Sequence, residues 1–246
     1  MNMHRILLLL SIVSCLTFSC SPSSDKTSTT AEENPPTETT ASTTEGDWIV
    51  LFDGSDMDAW RNYKSDTSAW RVEDGALNTT GGSGDLITKE TFGNFELEFD
   101  WRITEGGNSG VIYLVQEGDE YQSTYETGPE YQLIDDESYG TVHNVELEKN
   151  QMSGANYALD EPQNVQLKPL GDYNQGKIIV NEGHVEHWLN GQKVVEYDLW
   201  TDEWKARVAK TKFKDMPDYG QSKEGHIALQ DHGDPVWFKN IRIRPL

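Results

Sequence analysis

The sequence predicts an all-β sandwich of antiparallel strands with one short helix, carried behind an exported leader. Three observations point there. From Asn94 to Thr104, Phe95, Leu97, Phe99, Trp101 and Ile103 alternate with Glu96, Glu98, Asp100 and Arg102, the period of a strand with one buried and one wet face. Short apolar runs recur through residues 48–246, separated by turn dipeptides such as Asp74-Gly75, Gly81-Gly82 and Gly106-Gly107. Asn190-Gly191 lies between Val185–Leu189 and Val194–Tyr197, the strongest short hairpin signal. Many short strands with a single helix favour a sandwich over a parallel α/β sheet.

The chain opens on a short basic stretch, Met1 to Arg5, followed by an apolar run from Ile6 to Phe18. That pattern reads as a signal peptide over residues 1–19, too short to span a bilayer. Both cysteines fall here, Cys15 and Cys20, each preceded by a serine. Cys20 opens the polar stretch and is the expected lipid attachment site, with Cys15 as the alternative. Residues 20–47 are rich in Ser, Thr, Pro and Glu and nearly free of apolar side chains, so they read as a disordered tether. The expected location is the bacterial cell envelope, on its periplasmic or outer-membrane face. Forty-two acidic against 20 basic residues leave a formal charge of −22. This balance excludes nucleic acid as a partner and leaves membrane attachment to the acyl chain.

Within the domain at 48–246, the expected strands are Trp48–Phe52, Trp70–Glu73, Ala76–Thr79, Asp85–Thr88, Asn94–Thr104, Ser109–Val115, Glu130–Ile134, Lys177–Asn181, Val185–Leu189, Val194–Tyr197, His226–Gln230 and Trp237–Arg242. Trp200–Lys212 alone reads as a helix, with Thr201 as its cap.

The usual catalytic signatures are absent: no Walker loop, no G-x-G-x-x-G between strand and helix, no H-E-x-x-H and no G-x-S-x-G. Gly81-Gly82-Ser83-Gly84 precedes no helix and reads as a turn. Four constellations remain. Gly106-Gly107-Asn108-Ser109-Gly110 is a tight hairpin turn or a site loop. In Glu130–Ile134, Glu130 and Gln132 share one strand face, either as a polar pair for sugar hydroxyls or as solvated surface residues. In Gly225–Asp234, Ile227 and Leu229 point to the core, which sets His226, Ala228, Gln230 and His232 on the other face. Trp188, beside the Asn190-Gly191 turn, is a sheet-packing residue or a platform for stacking a sugar. No cofactor is required; a divalent cation such as calcium could find oxygen ligands at Asp135-Asp136-Glu137 or at Asp231 and Asp234, although neither has EF-hand spacing.

Taken together, the motifs Trp48-Ile-Val-Leu-Phe-Asp-Gly54, Trp70-Arg-Val-Glu-Asp-Gly75, Gly84-Asp-Leu-Ile-Thr88, Phe99-Asp-Trp-Arg102, Gly107-Asn-Ser-Gly110, Glu126-Thr-Gly-Pro-Glu-Tyr-Gln132, His187-Trp-Leu-Asn-Gly191 and Gly225-His-Ile-Ala-Leu-Gln-Asp-His-Gly-Asp234 resemble the 3-keto-disaccharide hydrolase domain family across 48–246. The resemblance implies a concanavalin A-like jelly roll of two antiparallel sheets with its site on the concave face. It also implies cleavage of glycosides carrying a ketone at C3, by a lyase step and then a hydratase step. The segment from Ser138 to Gln151, which includes His143, matches no motif of the family.

A retaining sandwich-fold glucanase needs two closely spaced acids; here Glu130 is followed by Gln132 where the second acid would stand. A 3-keto sugar lifts that demand, because its C2 proton is α to a carbonyl and a single base can remove it. On this reading Glu130 and His232 are the catalytic pair, one as base and the other as acid. Asn108, Glu126, Gln132, Gln230, Asp231 and Trp188 form the substrate-binding set. The alternatives are a lectin-like module without chemistry, an ordinary sandwich-fold glycoside hydrolase and a structural envelope protein.

Overall fold

In the computed structural model, the described residues are 44–45, 48–82 and 84–246. The signal peptide, both cysteines and nearly all of the expected tether lie outside them. Strand β1 (Thr44–Glu45) pairs antiparallel with β2 (Trp48–Phe52), so the last part of the expected tether joins the sheet.

Two antiparallel sheets enclose the core. The nine-stranded sheet runs β1, β2, β14 (Val236–Pro245), β7 (Phe95–Ile103), β10 (Asn174–Asn181), β11 (His184–Leu189), β12 (Gln192–Asp198). In the same sheet β5 (Ala76–Thr79) pairs the first part of β14, and β4 (Arg71–Glu73) pairs β5. The five-stranded sheet runs β3 (Trp60–Asn62), β6 (Leu86–Thr88), β13 (His226–Leu229), β8 (Asn108–Val115), β9 (Glu130–Ile134). Strand β3 was not expected from its sequence, because three residues are too few to show a period.

The alternation of β7 does what its pattern predicts. Phe95, Leu97, Phe99, Trp101 and Ile103 are buried in the main core, while Glu96 and Glu98 face Arg244 and Arg242 in register across β14. Phe99 meets Tyr131 of the other sheet edge-on, with ring centroids 5.5 Å apart. Asn190 and Gly191 both take positive φ and close the β11–β12 hairpin. The Gly106-Gly107 turn holds too, yet it is no hairpin: β7 belongs to one sheet and β8 to the other, so it crosses the sandwich. Helix α1 (Tyr139–His143) packs on that turn, His143 Nε2 donating to Gly106 O at 2.8 Å. This unmatched, largely exposed segment was not expected to be helical.

Helix α2 (Asp202–Val208) forms where expected and is shorter than its sequence window; Thr201 Oγ1 accepts from Trp204 N at 3.0 Å. Trp204 stacks on Tyr197 and Tyr219, and Tyr219 stacks on Phe213 with centroids 4.0 Å apart. This ladder fixes the segment carrying Lys212 against the sandwich. A second buried network lies between the sheets. His187 Nδ1 donates to Gly154 O, and Tyr113 and Tyr197 share a hydrogen bond. Burial holds the imidazole down at about 4, so it is neutral and its Nε2 accepts from the Tyr113 hydroxyl at 2.8 Å.

Strand β8 carries a bulge. His226 pairs Val115 while Ala228 pairs Ile112, so Tyr113 and Leu114 both enter the core and Leu114 takes φ +58°. The bulge turns Val115 to the opposite face, beside Ile112. Gly225 lies directly over it; a Cβ there would sit 2.3 Å from the Leu114 carbonyl carbon. Because the obstacle is backbone, Gly225→Ala is expected to lower stability by about 2 kcal/mol or more, read as a fall in the urea midpoint at unchanged m-value.

Candidate active site

The two faces of the five-stranded sheet have different chemistry. Val111, Tyr113, Tyr131, Leu133, Ile227 and Leu229 point into the main core. On the outward face, pairing register brings residues from distant parts of the chain into two rows. One row reads Arg61, Ile87, Ala228, Ile112, Glu130. The next reads Tyr63, Asp85, Gln230, Gly110, Gln132, with Asn108 beyond it on β8. Small residues at 110 and 228 leave the middle of this face low.

Glu130 occupies that low ground. Its Oε1 stands 2.3 Å from where a Cβ on Gly110 would be; the carboxyl fits only because residue 110 has no side chain. Glu130 and Gln132 are 5 % and 1 % exposed, so neither is a solvated surface residue. Burial pushes the Glu130 carboxyl up to about 8; the Lys212 ammonium and the Gln230 amide pull it back, and Asp85 adds to the rise. Around it the side-chain oxygens of Asn108, Gln132 and Gln230 are buried without a hydrogen-bond partner. A buried orphaned acceptor costs about 1–3 kcal/mol, and three beside one buried acid form a surface suited to a ligand rich in hydroxyl donors.

Gln230 and Asp231 are half-buried and His232 is exposed, on the loop that follows β13. His232 Nδ1 lies 3.8 Å from Asp234 Oδ2, and it makes no described contact with Glu130. Asp231 is a loop-holding residue: its Oδ1 accepts from Gly82 N and Gly233 N. There the Gly81 backbone lies so close to Gly233 that a Cβ at 81 would stand 2.4 Å from the Gly233 oxygen. Glu126 accepts from Ser123 N and Gln122 N at 2.7 Å each, capping a one-turn 3-10 helix, Thr124–Glu126, in the wall of the site.

The structure does not bring Trp188 to this face. It sits on β11 of the nine-stranded sheet, where its Nε1 donates to Glu186 and Lys177 lies over its ring. Of the carboxylates considered as calcium ligands, Asp135 accepts from the backbone N–H groups of Gly106, Glu137 and Ser138, and Asp136 from that of Ser153. His184, Glu186 and Glu196 come within 4.8 Å of one another on the nine-stranded sheet, with the Lys193 ammonium already bound to both glutamates.

Sequence reasoning gave no role to Asp85, Tyr63 or Lys212. Asp85 had one legible signal, standing two residues before Ile87 and so on the same strand face. For Lys212 there was none, because only tertiary packing brings it to β9. It lies 4.2 Å from the Tyr157 ring centre, and the Tyr157 N–H donates to the Glu130 carbonyl.

A two-sheet antiparallel sandwich does not by itself fix a function, but a buried acid among orphaned amide oxygens on one sheet face fits a carbohydrate-active class of protein. Comparison places the chain within it: residues 47–244 match the model of the 3-keto-alpha-glucoside-1,2-lyase-like domain, and the chain belongs to that family. It is 37 % identical over 230 residues to a 3-keto-disaccharide hydrolase of Bacteroides thetaiotaomicron, covering 81 % of this chain and 78 % of that protein. Among solved structures, a Parabacteroides distasonis chain assigned as a glycosyl hydrolase superposes with a TM-score of 0.76 at 41 % identity, covering 81 % of this chain and 94 % of the other. A second from that organism gives 0.62 at 28 % identity, over 82 % of this chain and 100 % of its own.

The buried acid leaves a signature in stability. Its folded pKa, about 8, lies above the ordinary 4.5. The folded state therefore keeps a proton that the unfolded chain loses, and stability is full below pH 4.5 and declines as pH rises to 8. Glu130→Gln removes that slope. The stability of the variant relative to wild type is expected to grow by on the order of 4 kcal/mol between pH 4.5 and 8, checked by urea denaturation at both ends.

Proposed function

We propose that this protein cleaves 3-keto-glucosides, with disaccharides as its substrate class, by elimination followed by hydration. The observation that carries the reading is the Glu130 carboxyl, buried over Gly110 among orphaned amide oxygens and pushed up to about 8. A carboxylate of that basicity is matched to removing a carbon-bound proton α to a ketone near neutral pH. The relatives support the same substrate class.

In this mechanism Glu130 takes the C2 proton and the C2–H electron pair moves into the enolate, its charge settling on the C3 oxygen. The amide N–H groups of Asn108, Gln132 and Gln230 donate to that oxygen and to the ring hydroxyls. The enolate then expels the C1 substituent; the C1–O pair leaves with the departing oxygen, which takes a proton from His232. Water adds at C1 of the resulting 3-keto-2-hydroxy-glucal, whose double bond is conjugated to the C3 ketone, a proton returns to C2, and the net change is hydrolysis. No nucleophile is required, which fits a glutamine at 132.

Activity that depends on an ionised Glu130 rises with pH. With removal of the C2 proton as the limiting step, the kcat/KM profile for a 3-keto-glucoside is expected to climb to a plateau through an inflection near 8. Glu130→Gln should lower kcat about a hundredfold or more and His232→Ala by less. In D2O, recovered substrate or product should carry deuterium at C2. Turnover without C2 labelling, or equal activity on unoxidised glucosides, would exclude the elimination route.

We further propose that the enzyme is lipid-anchored through Cys20 in the cell envelope, on the strength of the apolar run Ile6–Phe18 and the Ser19-Cys20 junction. Cys20→Ala is expected to abolish labelling by a fatty-acid analogue and release the protein from membranes, whereas Cys15→Ala should leave both unchanged.

A further inference from the structure

Two loops shape the approach to Glu130, and both are attached to one side chain. Asp85 stands in the second row between Tyr63 and Gln230, half-buried, and both of its oxygens are engaged. Its Oδ1 accepts from Asp231 N at 2.9 Å, at the root of the loop that carries His232. Its Oδ2 accepts from the hydroxyl of Thr124, a fully buried residue in the 3-10 turn of the wall. The wall loop is further held by Lys64, which donates to Gly118 O and Tyr121 O, and by Gly220 N on Thr127 O. The His232 loop is otherwise tied through Asp231 to Gly82.

We propose that Asp85 is a positioning residue of this active site, pinning the Thr124 wall and the His232 loop to the start of β6, beside Gln230. The inference rests on the reading of Glu130 as the base. Asp85 does not reach the reacting atoms; it sets where the acid and the wall stand relative to them. The groups facing it are Thr124, Asp231, His232, Tyr63 and, across the sheet, Glu130. Those facing Glu130 are Lys212, Asp85, Gln230 and Tyr219. Asp85 is thus the one carboxylate among the groups that act on Glu130 in the described residues, and it raises the Glu130 carboxyl.

Two variants, assayed with a 3-keto-glucoside, test the role. Asp85→Asn keeps an acceptor for Asp231 N and presents an amide to the Thr124 hydroxyl, so the loops stay while the charge goes. Its kcat/KM inflection is expected to move down by about half a unit to one unit, a change that a purely structural residue would not cause. Asp85→Ala releases both loops; its KM should rise about tenfold or more, with kcat falling less. A superimposable pH profile for Asp85→Asn, or a KM within about twofold for Asp85→Ala, overturns the proposal. Should Asp85→Ala fail to fold, the Asp85→Asn profile alone decides. A wild-type protein without turnover or C2 exchange sinks the reading of Glu130 itself and takes this inference with it. An active wild type with unmoved variants sinks only the role of Asp85.

Discussion

The carboxyl of Glu130 can lean over the sheet only because residue 110 on the neighbouring strand is a glycine. That close approach sets the remaining features of the site. It removes the acid from water and so raises its proton affinity. It also leaves Asn108, Gln132 and Gln230 around a depression instead of against a filled surface. The same strand that presents Glu130 and Gln132 outward sends Tyr131 and Leu133 into the main core. Strand alternation thus makes one element serve both packing and site, and a slip of one residue would bury the acid in the core and expose the tyrosine.

Such a site is held against its own cost. A buried acid and three orphaned amide oxygens are destabilising, and the sandwich offsets them with an apolar interior. Phe99 packs across the sandwich on Tyr131 and beside Phe238 of its own sheet, and the Trp204 ladder clamps the segment that brings Lys212 to the edge of β9. The β8 bulge contributes as well. By sending Tyr113 and Leu114 inward together, it turns Val115 out to join Ile87, Ile112 and Ala228 in the apolar patch beside the site.

The acidic surplus of the chain has a distribution. Much of the solvent face of the nine-stranded sheet is neutralised by cross-strand pairs such as Arg242–Glu98 and Arg244–Glu96, each worth little singly. Around the site the carboxylates instead hold loops: Asp85, Glu126 and Asp231 each accept from backbone or hydroxyl donors. Their function there is geometric. A neutral, hydroxyl-rich substrate suits such a setting, because it brings donors to orphaned acceptors without adding negative charge.

What the sequence determined by itself is what short-range physics controls. The period of β7, the Asn190-Gly191 hairpin, the Thr201 cap and the outward placement of Ala228 and Gln230 were all legible, because each depends on residues within one element or one turn. The ordered motifs likewise carried the family. The tertiary structure alone decided which sheet each strand joins, and with it that the Gly106-Gly107 turn crosses the sandwich and that Trp188 stands on the other sheet from Glu130. It also decided that Glu126 caps a turn and that Asp85 and Lys212 belong to the surroundings of the acid. Register between strands far apart in the chain sets these relations, and no local pattern encodes a partner more than a hundred residues away.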